Sequence, residues 1–231
     1  MATTTARRVR AIPTVTWSAP GRWRPRPASA VVLALGLWLF GTGEAMIVAA
    51  RLGNTPWTVL GEGIARHLSM SIGTATIVVS GAVLLGWIPL RERPGLGTVA
   101  NAIEIGFALD VMGKVLPRPD AIVGRLVLGI GGVAVIACGG ALYLSTHLGP
   151  GPRDGLMTGL ARRLDRPIAH VRFVIEATVL AAGVALGGRV GVVTVLFALT
   201  IGHALAIALG ALTRLVAPLV LDGGHRVRTE P

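Results

Sequence analysis

Six stretches of this chain stay apolar for close to the ~20 residues a helix needs to cross a ~30 Å hydrocarbon layer. They are Ala30–Ala50, Ile72–Leu90, Leu96–Leu116, Ala121–Thr146, Ile168–Gly187 and Val190–Leu212. Backbone crossing hydrocarbon must satisfy its own N–H and C=O groups, which leaves helices or a closed barrel. These runs are about twice as long as the ~10-residue segments of a barrel. Charged residues make up only 14% of the chain, against about 25% in soluble domains, and the mean hydropathy is +0.70. The 32 glycines suit close packing of membrane helices. The reading is an all-α membrane protein of about six transmembrane helices. A soluble enzyme, a disordered chain and a coiled coil are excluded.

The net charge of +11 does not point to nucleic acid. Arginines gather at the ends and between the apolar runs, and only Trp17 and Trp23 provide aromatic rings beside them. Residues 1–28 carry Arg7, Arg8, Arg10, Arg22, Arg24 and Arg26 with four prolines, and read as a flexible basic leader. The apolar stretch that follows is too long for a cleaved signal. Placing the leader inside also places Arg91, Arg93, Arg153, Arg162, Arg163, Arg166, Arg214, Arg226 and Arg228 inside. Arg51, Arg66, Lys114, Arg118 and Arg189 remain outside. This bias predicts a multi-pass protein of the cytoplasmic membrane with both termini cytoplasmic, ending in a polar tail over residues 216–231. Trp87, just before Arg91, reads as an interfacial anchor. Arg125 and Arg172 read as snorkelling to headgroups, and the single Cys138 as a small core residue.

Aligning the chain with itself at an offset of 96 residues brings positions 45–81 onto 141–177 with 11 identities, among them Leu52, Gly53, Pro56, Leu60 and Gly63. The same register matches Ile105-Gly106 with Ile201-Gly202. The chain therefore divides into repeat 1 over residues 29–119 and repeat 2 over 120–215. Each holds three spans, an odd number, so consecutive copies enter the membrane from opposite sides. Inverted repeats of this kind recur in transporters, with sites near interrupted helices at the midplane. The interruptions here are Gly53-Asn54-Thr55-Pro56 and Gly149-Pro150-Gly151-Pro152. After each comes a short segment, Pro56–Ser69 or Pro152–Asp165, with a leucine or isoleucine stripe. These segments are amphipathic interfacial helices or re-entrant ones.

The block LGNTPWTVLGEGIARHLSMSIGT and its second copy LGPGPRDGLMTGLARRLDRPI resemble the bacterial YczE/YitT-like integral membrane proteins. The resemblance spans about residues 30–212 and rests on an LG-x-x-P-W-D type motif. Here that motif is divided: Pro56-Trp57-Thr58 with Glu62 stands in one copy, and Pro152-Arg153-Asp154 in the other. The resemblance implies a small multi-helix membrane core and carries no defined activity.

Ionisable residues inside spans cost roughly 2.5–3.5 kcal/mol each by insertion scales and belong toward the bundle interior. Glu44, Glu104, Asp110 and Glu176 qualify, with His203 as a further proton-relay candidate. Glu104 and Glu176 each lie about eight residues into outward-running helices, where paired carboxyls could share a proton. Asp110 and Lys114, four residues apart, read as neutralising each other. No metal cluster, P-loop, cofactor motif or catalytic constellation is present, so the chain is expected not to be an enzyme and to need no cofactor. Gly183-x-x-x-Gly187 fits close helix packing and leaves a homodimer open. Two functions follow. The first is a small permease or exporter for a small solute, with its path between the repeats along Glu44, Glu104, Glu176 and the Pro56 and Pro152 breaks. The second is a membrane accessory protein that engages a partner through the leader and the loop at Arg162–Arg166.

Overall fold

The computed structural model describes residues 12–222, which form eight helices in the order α1 Pro27–Ala50, α2 Pro56–Leu68, α3 Ile72–Leu90, α4 Leu96–Val115, α5 Ile122–Ser145, α6 Pro152–Leu164, α7 Ile168–Ala185 and α8 Val192–Asp222. Six of them are long and apolar enough to span a membrane, and α2 and α6 are not. Their outward faces carry large bare hydrophobes: Leu35 at 57%, Phe107 at 56%, Phe173 at 74% and Leu199 at 70% exposure. Such surfaces are unfavourable in water and suited to lipid. The protein is a membrane protein.

The 96-residue offset seen in the sequence recurs in the backbone. Helices α6, α7 and α8 begin 96 residues after α2, α3 and α4. The residues with positive φ are Arg51, Gly53, Ser69, Arg91, His147, Gly149, Asp165 and Gly187. They form four pairs at that same offset. The bend that ends α1 is therefore built again where α5 ends, with Gly53 at φ 99° and Gly149 at φ 120°. Only glycine holds those angles without strain.

At the centre α1 packs on α5. A Cβ on Gly36 would fall 2.9 Å from the Gly139 carbonyl oxygen, and one on Gly43 would fall 2.7 Å from that of Gly132. The two helices therefore run antiparallel with backbones touching. Gly36 and Gly132 are equivalent by the offset, as are Gly43 and Gly139, so one contact maps onto the other. The loops repeat this exchange. The Val193 N–H donates to the Leu52 carbonyl at 3.0 Å, and the Gly97 N–H donates to the Leu148 carbonyl at 2.9 Å. Each break is thus tied to the first turn of a helix from the other copy. Helix α2 packs on α3 and α7, and α6 on α7 and α3, so each short helix is shared between copies. Eight residues of α2 are buried, as in an element lodged in a bundle. The apolar cores follow this plan, with Ile47, Ile136 and Val193 in one cluster and Leu33, Leu37 and Ile105 in another.

Several expectations change. From Ile12 onward the leader is packed. Trp17 donates to Ser145 Oγ at 2.9 Å, the Ser18 hydroxyl donates to the Ser145 carbonyl at 2.8 Å, and Trp23 donates to the Pro94 carbonyl at 3.0 Å. It lies across the loops after α5 and before α4; its first 11 residues fall outside the described ones. The predicted tail begins inside α8, which runs to Asp222, and its last residues, 223–231, also lie outside. Trp87 is buried at 2% exposure and donates to the Pro152 carbonyl at 2.9 Å, which anchors α3 to α6. Cys138 is exposed on the outer face of α5. Arg125 binds the carbonyls of Ala50 and Arg51 at 2.8 and 2.6 Å, closing the C-terminus of α1. Gly183 packs against the backbone of Leu60 on α2, and Gly187 lies in the turn beyond α7, so together they present no packing face to another copy.

The glycine seam gives a direct test. Gly43→Leu should destabilise the protein by roughly 1–3 kcal/mol or prevent folding. Gly113→Leu, where a Cβ meets nothing within 4 Å, should leave stability nearly unchanged. Thermal unfolding of both variants in detergent decides this; equal midpoints would remove the seam as the organising contact.

Candidate functional site

A cavity of about 170 Å³ lies where α1, α5 and the first turns of α2 and α6 meet. The two proline breaks place it. Pro56 and Pro152 stand at the first helical position, where a missing N–H costs nothing. Both helices therefore start abruptly, and Thr55, Pro56 and Trp57 from one copy line the cavity with Gly151, Arg153 and Asp154 from the other. Much of the remaining lining also comes in equivalent pairs, among them Phe40 with Ile136, Thr76 with Arg172, Ser80 with Glu176, and Asn101 with Phe197. The cavity straddles the boundary between the copies, and at Asn101 with Phe197 one member is polar where the other is apolar.

Glu44 is buried at 1% exposure. The Thr58 hydroxyl donates to its Oε2 at 2.7 Å, and Thr55 Oγ1 lies 3.1 and 3.2 Å from its two oxygens. Thr55 also caps α2 by accepting from the Thr58 N–H at 3.4 Å. Asp154 accepts from the Tyr143 hydroxyl at 2.9 Å. On α7, Arg172 Nε donates to Glu176 Oε1 at 2.9 Å, and this pair stands at the partly exposed edge of the lining. The guanidinium of Arg153 lies 4.9 Å from the centroid of the Trp57 ring, a cation–π distance. Trp57 and Arg153 occupy equivalent positions of the divided motif. What the sequence separates into two copies, the fold brings face to face. Among the described residues, Arg153 takes part in none of the four ion pairs. Its carboxylate neighbours Glu44, Asp154 and Glu176 are close enough to act on it electrostatically, and each holds a hydroxyl or guanidinium donor of its own.

Of the sequence candidates, Glu44, Pro56, Trp57, Arg153, Asp154 and Glu176 line the cavity. Gly53 and Gly149 shape the breaks behind it, and Pro152 supplies the carbonyl that Trp87 binds. Glu62 serves structure at the rear of α2. It accepts from Asn54 Nδ2 at 2.8 Å, Arg66 at 2.7 Å and the Arg189 N–H at 2.9 Å, tying the first break to the turn before α8. Three expectations fail. Glu104 is outside the lining and forms no hydrogen bond or ion pair with Glu176, because equal depth does not place two residues on facing sides of their helices. Asp110 is not neutralised by Lys114: it accepts from the Gly73 N–H at 2.9 Å and from the Ser71 hydroxyl, holding the start of α3. His203 is exposed on the outer face of α8, away from the cavity. Tyr143, Thr55, Thr58 and Asn101 were not singled out as site residues. Thr58 could have been found, since it is the repeat partner of Asp154, and Tyr143 is the chain's only tyrosine.

The eight helices of the described residues, six of them long and apolar enough to span a membrane, and the cavity between them define an all-α membrane protein. The chain belongs to the family of unknown function DUF6198, whose profile matches residues 28–209. It is 41% identical to an uncharacterized protein of Haemophilus influenzae over 209 residues, covering 90% of this chain and 96% of that one. It is 30% identical to the uncharacterized membrane protein YczE of Bacillus subtilis, covering 91% and 95%. YyaS of Bacillus subtilis is 23% identical, covering 70% of this chain and 83% of that one. The resemblance to YczE read from the repeat motif therefore holds along nearly the whole chain. No solved structure matches.

The Glu44 cluster is tested by two substitutions. Thr58→Val keeps the shape and removes the donor, and should cost about 1–3 kcal/mol by leaving a buried carboxyl short of a partner. Thr58→Ser keeps the hydroxyl and should behave like wild type. Equal unfolding midpoints for all three proteins in detergent would show that the contact contributes nothing.

Proposed function

We propose that this protein is a small permease of the cytoplasmic membrane, built as two inverted-topology halves with its substrate path between them. The observation that carries the reading is the convergence of two interrupted helices, one from each half, on a single interior cavity that holds an ion-unpaired guanidinium. Discontinuous helices whose N-termini face a site between repeats are a recurring transporter design, and interior charge in a membrane bundle is costly unless it serves a path. The exchange of contacts between equivalent positions, Gly36 with Gly139 and Gly43 with Gly132, supports the inverted arrangement. So does the odd number of spans in each half. The short helices α2 and α6 are then re-entrant, and the arginine bias sets both termini in the cytoplasm.

Glu44 and Glu176 are the groups placed to couple protons to solute, since both line the cavity. A permease is favoured over an accessory role because the described part of the leader spends Trp17, Ser18 and Trp23 on its own bundle.

The test is flux in sealed proteoliposomes carrying an internal pH dye, challenged with a panel of carboxylic acids, amines and amino acids. Arg153→Gln and Glu44→Gln should abolish the flux that wild type supports. Glu104→Gln and His203→Gln, outside the cavity, should keep it. Correctly inserted wild-type protein that moves no solute above empty vesicles would sink the permease reading.

A further inference from the structure

Where α3 closes and α4 begins, three separate segments of the chain enclose a cleft of about 530 Å³. It is lined by Arg22 and Trp23 of the leader, by Arg91, Glu92 and Arg93 of the loop between the two helices, and by Arg162 near the end of α6. Hydrogen bonds hold these segments in place. The Leu96 N–H donates to the Arg22 carbonyl at 2.9 Å, Arg22 Nη1 donates to the Arg93 carbonyl at 2.8 Å, and Trp23 Nε1 donates to the Pro94 carbonyl at 3.0 Å. Arg163 Nη1 donates to the Pro89 carbonyl at 2.9 Å and fixes the end of α6 on the end of α3. The cleft is thus shaped by tertiary contacts between residues distant in sequence.

Charge in this cleft is one-sided. Four guanidiniums line it with one carboxylate, Glu92, which lies against Gly159 of α6 and is already paired with Arg162. Asp165, just beyond α6, does not line it. Among the described residues Arg22, Arg91 and Arg93 stand in none of the four ion pairs, so three positive charges remain unmatched. The opposite end of the bundle is arranged differently, with Arg66 and Arg189 paired to Glu62 and Arg125 bound to two carbonyls. Arginine bias between the two sides of a membrane requires only a count of charges; it does not gather them into one cleft. The depth of the cleft indicates what meets it. Helix α3 ends at Leu90 and α4 begins at Leu96, so residues 91–94 lie where two spans leave the hydrocarbon. Trp23 is exposed at the rim, and Leu85 and Ile88 are exposed on the last turns of α3. An indole suits the headgroup level, and the bare leucine and isoleucine suit acyl chains. Guanidinium matches phosphate oxygens in pairs, and basic pockets at the ends of spans recognise anionic headgroups. We propose that this cleft binds a phospholipid headgroup carrying two phosphates, held by Arg22, Arg91 and Arg93. A soluble polyphosphate offers the same chemistry, and the exposed apolar turns beside the cleft favour the lipid. The assignment does not depend on the permease reading.

The test is native mass spectrometry of the full chain released from phosphatidylcholine nanodiscs doped with cardiolipin, which has two phosphates, and with phosphatidylglycerol, which has one. Wild type should retain one cardiolipin per chain, saturably, in preference to both other lipids. Replacing Arg91→Gln and Arg93→Gln together should weaken cardiolipin binding by about tenfold or more, as expected for the loss of charged hydrogen bonds. Lys114→Gln with Arg118→Gln removes the same charge from the opposite end of the bundle and should change binding little. Thermal unfolding in detergent confirms that each variant is folded, and the lipid preference of wild type is a test that needs no variant. Inorganic pyrophosphate is the soluble probe, and at concentrations matching the lipid it should leave cardiolipin in place. Retention of phosphatidylcholine equal to that of cardiolipin would overturn the site. So would undiminished binding by the folded Arg91 and Arg93 variant, or an equal loss in the Lys114 and Arg118 variant. Phosphatidylglycerol held as tightly as cardiolipin would overturn the two-phosphate ligand, and displacement by pyrophosphate would overturn the lipid.

Discussion

Everything in this molecule hangs on the close antiparallel approach of α1 and α5. In lipid there is no water to drive apolar helices together, so association depends on van der Waals contact and on how near two backbones can come. Gly36 against Gly139 and Gly43 against Gly132 remove the side chains that would hold the helices apart. The same contact fixes where the chain must go next. Both helices end in a left-handed turn followed by a glycine of positive φ, so the backbone folds back toward the seam. The N-termini of α2 and α6 then arrive near the middle of the bundle from opposite sides, at the edge of the cavity between them.

A duplicated scaffold would give a cavity with matching walls, and this one does not match. Glu44 corresponds to Gly140, Trp57 faces the guanidinium of its counterpart Arg153, and Ser80 corresponds to Glu176. Nearly every equivalent pair that lines the cavity has diverged, Ile105 with Ile201 excepted. The positions that make the turns stay alike, as in Gly53 with Gly149 and Pro56 with Pro152. Thr55 caps α2, and Gly151, at the corresponding place, has no side chain to cap α6.

The fold was largely legible because its signals are local. Hydropathy marks the spans to within a few residues, and proline with glycine marks the breaks. The repeat register predicts which loops share a shape. The site was legible only where it touches the motif. Depth along a helix can be counted from the sequence, whereas the side a residue faces depends on packing. Counting depth alone therefore pairs Glu104 with Glu176 and takes His203 as interior. Asp110 beside Lys114 shows a second limit. An i, i+4 partner is visible in sequence, and the donors that actually hold the carboxylate, Ser71 and Gly73, lie 39 and 37 residues away. Trp87 falls under the same limit. An aromatic next to arginines suggests an interfacial anchor, yet here the indole donates to the Pro152 carbonyl inside the bundle's own frame.

The α3–α4 joint has no equal between α7 and α8, where Pro167, Ala169 and Ala206 stand in place of Ser71, Gly73 and Asp110, and this follows from the same economy of contacts. A bundle in lipid is held by few specific points, so losing three of them at one joint changes its shape more than a similar loss in a soluble core. With Ser71, Gly73 and Asp110 in place, α3 is held on α4, which packs in turn on α1. Without their counterparts, α7 keeps its packing on α2 and α6, and α8 keeps its packing on α5. Each remains anchored on one side and unconstrained toward the other.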